Sequence, residues 1–126
     1  GEADMLTEDG KVFLDEQLEI RRLALDGPAV FLGHCASEAL RDQKGVVKVF
    51  IRCGNENQVR ERIAEDYGIG QSEIDSTRKH YNKKRAGYYR ANTGKEWRDM
   101  NNYDLVLDSA ALGIDGCVNV LKGLFE

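Results

Sequence analysis

Arg78, Asn82, Arg85 and Tyr89 fall at i, i+4, i+7 and i+11, the spacing that brings side chains to one face of an α-helix. Two guanidiniums one to two turns apart can each hold phosphate oxygens in a forked, charge-assisted geometry. Residues 76–98 carry eight Lys or Arg against one acid, a net +7, in a chain whose formal net charge is −4. The segments 1–30, 31–75 and 99–126 carry −5, −2 and −4. A positive block on an otherwise acidic protein is a candidate anion site, because the remaining surface repels phosphate. A solvated helix face would carry the same charges without a ligand. Tyr81, Tyr88 and Trp97 share the segment. Aromatics among bases also suit single-stranded nucleic acid, whose bases stack while its phosphates are neutralised. Charge alone leaves a nucleotide and a polynucleotide both open.

Three further places could carry chemistry. His34 follows Gly33 directly after a short apolar run, and Asp108-Ser109 follows another. His34 there is as much a candidate ligand contact as a structural residue, whereas Asp108-Ser109 reads first as a cap and second as a ligand contact. The cysteines at 35, 53 and 117 are widely spaced and contain no CxxC pair. This excludes a disulfide framework or a Cys-rich zinc site and suits the reducing cytoplasm. Cys35 has no acid-base partner near it in sequence, and Cys53 and Cys117 read as small buried residues. No metal-ligand cluster is expected.

These side chains need elements to hold them. Phe13, Leu14, Leu18 and Leu25 predict an amphipathic helix over 12–25, ended by Asp26-Gly27-Pro28. Ala29–Leu32 reads as a buried strand, followed by a short helix from Ala36 to Arg41. Val46–Ile51 is the next strand. Asn55 is a plausible N-cap with Gln58 three residues on, and a helix runs from there to about Tyr67, broken by Gly68 and Gly70. Ser72 with Asp75 marks the start of the basic helix, Glu73 to about Arg90. Tyr103–Leu107 is the third strand, and Ile114, Val118, Leu121 and Phe125 form an apolar stripe on a closing helix. Near-continuous apolar strands separated by helices belong to a parallel sheet, so the class is α/β. In such sheets ligands gather beyond the carboxyl ends of the strands. The 126 residues suit one domain, and no apolar run approaches the roughly 20 residues of a membrane span.

Five pieces then match a known pattern in order and spacing: Phe31-Leu32-Gly33-His34-Cys35-Ala36, Val49-Phe50-Ile51, Lys84-Arg85-Ala86-Gly87-Tyr88-Tyr89, Thr93-Gly94-Lys95-Glu96-Trp97, and Asn102-Tyr103-Asp104-Leu105-Val106-Leu107. Together they resemble the cytidylate kinase-like family, a branch of the P-loop nucleoside monophosphate kinases, from about Phe13 to Phe125. The resemblance implies a three-layer parallel sheet of that type in a single domain, 1–126, incomplete at its amino end, with residues 72–98 as a lid-like basic segment. It implies phosphoryl transfer from ATP with Mg²⁺ to a pyrimidine nucleoside monophosphate when the fold is complete. Arg78, Asn82 and Arg85 map onto the family's Arg-x3-Asp-x2-Arg and would stabilise charge on the transferring phosphoryl oxygens. Gly33 and His34 would meet the acceptor nucleotide. Arg60 or Arg62 would lie near the donor, and the loop from Asp108 and Ser109 to Leu112 would pass the adenine.

The sequence departs from the pattern in three respects. His34 stands where the family has Arg, and Asn82 where it has Asp. No GxxxxGK[ST] occurs: Gly10-Lys11 would need a Gly at Met5, and Gly94-Lys95 one at Tyr89. The family's first strand and P-loop are thus expected upstream of residue 1, and this P-loop-less chain is expected to be inactive in phosphoryl transfer. That strand would lie between Ala29–Leu32 and Val46–Ile51, leaving a slot that a second copy of the chain could fill. A non-catalytic nucleotide- or protein-binding module is the alternative, and a single-stranded nucleic-acid binder is the least favoured reading.

Overall fold

The computed structural model describes residues 8–33 and 35–125. His34 and the side chain of Phe13 lie outside that description. Five helices and two strands follow in the order α1 (Glu8–Leu25), α2 (Ala36–Ala39), β1 (Val49–Arg52), α3 (Glu56–Tyr67), α4 (Ile74–Thr93), β2 (Leu105–Asp108) and α5 (Ser109–Lys122). Short 3-10 turns at Gln71–Glu73, Met100–Asn102 and Gly123–Phe125 complete the described residues. They group into two compact units: 1–46 with 89–95, and 47–88 with 96–126.

In the first unit, α1 buries Ile20 against Ala36, Ala39 and Leu40, with Ala24, Phe31 and Val46 packed around them. The expected α1 stripe is displaced. Leu14, Leu18 and Leu25 are exposed, while Gln17 and Ile20 are buried and Ala24 is half-buried. The small residues of α2 fit closely against Ile20, and Arg21 Nε donates to the Ala39 carbonyl at 3.0 Å. The run Ala29–Leu32 forms no strand. A strand needs a ladder partner, and none of the described residues pairs with it. Only Phe31 of the run turns inward, while Val30 and Leu32 are exposed.

The second unit is built on a parallel pair, β1 against β2, in the register Val49↔Leu105 through Arg52↔Asp108. The α/β class and the parallel pairing are as the sequence implied. The strands are shorter than the apolar runs that announced them. Lys48 still joins the pair, its N–H donating to Asp104 Oδ2 at 2.8 Å and its carbonyl accepting from the N–H of Asp104 and Leu105. Helix α3 begins as its sequence predicts, with the Asn55 side chain accepting from the Gln58 N–H at 3.1 Å. It ends at Gly68, whose φ of 61° is the left-handed conformation of a C-terminal cap. Ser72 does not start α4: it lies inside a 3-10 turn, and the helix opens at Ile74, the largest fully buried side chain.

Helix α5 breaks at Gly113, where φ 72° and ψ 166° leave the helical region. That break changes the phase of the turns that follow. Cys117 is buried, whereas Ile114, Val118 and Phe125 of the expected stripe are exposed. Cys53 is half-buried rather than buried, with its sulfur 3.6 Å from the Asn55 carbonyl. No described helix is long and apolar enough to cross a membrane.

Candidate functional site

The carboxyl ends of β1 and β2 are locked together by one carboxylate. Asp108 Oδ1 accepts from the Gly54 N–H at 3.0 Å and from the Ala110 N–H at 2.9 Å, capping α5, while Oδ2 pairs with Arg52 at 2.7 Å. The Ser109 hydroxyl donates to the Arg52 carbonyl at 3.1 Å. The Gly54 N–H, with help from the α5 amides and Arg52, holds the Asp108 carboxyl below its usual range. A β-carbon on Gly54 would sit 2.5 Å from Asp108 Oδ2, so the backbone comes this close only because position 54 lacks one. Asp108 and Ser109 therefore clamp the strand ends.

A depressed carboxyl favours the folded state above the ordinary aspartate value of about 3.9, and that contribution is lost as pH falls through the still lower folded value. Asp108→Ala removes both the cap and the Arg52 pair and should lower the thermal midpoint at pH 7 by about 3–6 °C, the range for loss of a cap in a chain of this length. It should also flatten the acid limb of the stability profile. A wild-type acid limb in the variant, read by circular dichroism from pH 6 to pH 2, would contradict this role.

From that clamp the chain passes through Asn55 into the first turn of α3, where Glu56 meets Arg78 of α4. The contact is a two-pronged fork, with Nη1 to Oε2 at 2.5 Å and Nη2 to Oε1 at 3.2 Å. Arg78 holds the Glu56 carboxyl below its usual range and is itself held more firmly cationic. One turn along, Arg60 pairs with Asp75 and reaches the Gln71 carbonyl at 3.5 Å. Two crossed pairs thus tie α3 to α4. Arg60 serves to hold the helices together, and Arg62 lies exposed on α3 with no ion pair among the described residues.

Arg78, Asn82 and Arg85 do share a face of α4, with Arg78 and Asn82 half-buried and Arg85 exposed. Arg85 lies over Trp97, its Cζ 5.1 Å from the ring centroid. Trp97 is fixed in turn by Phe50 of β1, at 5.6 Å between centroids, and by the Tyr103 hydroxyl donating to its carbonyl at 2.5 Å. The face can present two guanidiniums to an anion, one already forked to a carboxylate and one held flat on an indole. Glu56 and Trp97 are the two residues that complete this geometry. Glu56 gives no sequence signal, since its partner lies 22 residues away and on another helix.

Gly33 belongs to the first unit, with φ 65°. It borders a shallow hollow of about 350 Å³ whose walls include Glu16 and Glu19. A phosphate there would meet two carboxylates. His34 is outside the described residues.

The groups that a kinase reading requires find a poor fit in these residues. Among the described residues no three His, Cys, Asp or Glu side chains come together as a metal site. The phosphate-cradling GxxxxGK[ST] is absent from the sequence. The sequence therefore carries no Walker-type backbone cradle for phosphates.

No curated protein matches the chain at a significant level. A crystal structure of an uncharacterized protein from Eubacterium ventriosum is similar in fold, with a TM-score of 0.81 and 20% identity over 94% of this chain and 75% of that one. Residues 2–111 match the cytidylate kinase-like family. That match covers the parallel strand pair, the basic helix with its arginine face and the aromatic turn that supports it, and the chain belongs to this family.

Proposed function

We propose that this chain is a nucleotide-binding portion of a cytidylate kinase-like protein, with Arg78, Asn82 and Arg85 as its phosphate-facing residues. The observation that carries the reading is the shared face of these three side chains on α4, within a segment of net +7. Guanidiniums on one helix face match the oxygens of neighbouring phosphates, with Arg78 forked to Glu56 and Arg85 free of any ion pair among the described residues. In this reading the β1–β2 pair is part of a P-loop nucleoside monophosphate kinase sheet, 1–126 is one domain, and 72–98 is its lid-like segment. The ligand is a pyrimidine nucleotide. Gly33 and His34 are assigned to the acceptor, and Arg60, Arg62, Asp108 and Ser109 to the donor nucleotide, on the family resemblance alone.

Phosphoryl transfer from ATP is what the family resemblance implies. These residues bind and orient phosphate, and the GxxxxGK[ST] cradle is not among them. Calorimetric titration with CMP, CDP, ATP and a short oligonucleotide tests the reading. Saturable binding of CDP or ATP with a stoichiometry near one is expected. Binding of the oligonucleotide alone, weakening steeply with salt, would replace it with the polynucleotide reading.

The Glu56–Arg78 fork adds a second expectation. Glu56 occupies the guanidinium edge that a phosphate needs, so it competes with the ligand. Glu56→Gln removes the charge while keeping the side-chain length, and should tighten CDP binding several-fold, as for an exposed ion pair of modest strength. Unchanged or weaker affinity in that variant would mean that phosphate does not approach Arg78 from this side.

A further inference from the structure

Trp97 is the only tryptophan in the chain, and two guanidiniums lie against its ring. Arg85 Cζ is 5.1 Å from the centroid and Arg98 Cζ is 5.0 Å from it. Both distances lie within the range where the indole quadrupole attracts a cation. Neither arginine forms an ion pair among the described residues, whereas Arg52, Arg60 and Arg78 each hold a carboxylate. Two like charges drawn to one ring repel each other, and an anion shared by both would relieve that repulsion. The ring also restricts both side chains in advance, which reduces the ordering cost of binding. Their Cζ atoms lie no more than about 10 Å apart, since each is about 5 Å from the same centroid. The two phosphates of one nucleoside diphosphate can bridge that span when each accepts a forked guanidinium.

We infer that Arg98 is a second phosphate-binding cation, paired with Arg85 at Trp97, and that the two receive the diphosphate of a bound nucleotide. The inference takes its ligand from the nucleotide reading above, while its geometry is independent of Arg78 and Asn82. Arg98 lies beyond the basic helix, in the turn that leads to the Met100–Asn102 3-10 turn.

The test uses the chain's own fluorophore. CDP and inorganic pyrophosphate are titrated into wild type, Arg98→Ala, Arg98→Lys and Arg78→Ala, with calorimetry for affinity and Trp97 emission for contact. Arg98→Ala should weaken CDP about 10-fold and shrink the emission change at saturation, with an unchanged thermal midpoint because the side chain is exposed. Arg98→Lys should recover part of the affinity, since it keeps the charge and loses the planar fork. Arg78→Ala should weaken binding while leaving the saturating emission change intact.

Wild-type affinity in Arg98→Ala alongside weakened Arg78→Ala would overturn this inference and leave the nucleotide reading standing. A wild type that binds neither CDP nor pyrophosphate would overturn both. A response to a short oligonucleotide but not to CDP would assign the cation pair to a polynucleotide and overturn the diphosphate claim.

Discussion

Ile74→Ala is expected to destabilise the protein by about 2–4 kcal/mol, the range for deleting a buried Ile where the cavity closes only in part. Ile74 is 0% exposed and is the largest fully buried side chain. It opens α4, between the Glu73 that closes the preceding 3-10 turn and the Asp75 that pairs with Arg60. Removing three carbons costs about 0.8 kcal/mol each in transfer alone, and the cavity adds to this. Val59, Leu107 and Cys117 are the other buried apolar side chains among the described residues of the second unit. Ile74→Val should cost about 1 kcal/mol, which separates volume loss from any effect on helix initiation. Urea unfolding checks both variants, and an Ala variant within about 0.5 kcal/mol of wild type would remove Ile74 from the core.

The same sequence that hides its second-unit core announces much of the scaffold. The Asn55 cap and the Gly68 stop are local chemistry, set by side chains within a few residues, and both stand where the sequence places them. The parallel pairing of β1 with β2 follows from two apolar runs separated by helices. What the sequence does not disclose depends on partners distant along the chain. Ala29–Leu32 has the composition of a buried strand, but a strand exists only in a ladder, and composition does not say whether the ladder is there. In α1 and α5 the leucine and isoleucine spacing suggests a stripe that the packed helix does not bury. Small residues in α2 and the break at Gly113 decide which face turns inward.

The arginine face shows the same division. Its periodicity could be read directly, and the helix carries Arg78, Asn82 and Arg85 on one side as that periodicity requires. The carboxylate that occupies Arg78 and the indole that carries Arg85 come from α3 and from the turn before β2. Both contacts depend on tertiary structure: Trp97 lies in the same basic segment as Arg85, but only the fold sets the guanidinium on its ring.

That difference between the two arginines gives the second large effect. Arg78→Ala and Arg85→Ala should each weaken CDP or ATP binding by about 1.5–3 kcal/mol, the worth of a charge-assisted hydrogen bond. They should not weaken it equally. To meet phosphate, Arg78 must first leave Glu56, so the net loss on truncating it lies at the lower end of that range. Arg85 leaves no carboxylate behind, only the face of Trp97, and its truncation lies at the upper end. Glu56→Gln removes the competitor, so Arg78→Ala should cost more in that background than in wild type. Calorimetry on the four corners of the Glu56–Arg78 cycle measures this coupling directly. Additive effects would mean that Glu56 and phosphate do not share Arg78. Equal CDP affinity in wild type and in the Arg78→Ala, Arg85→Ala double variant would remove the α4 face from nucleotide binding altogether.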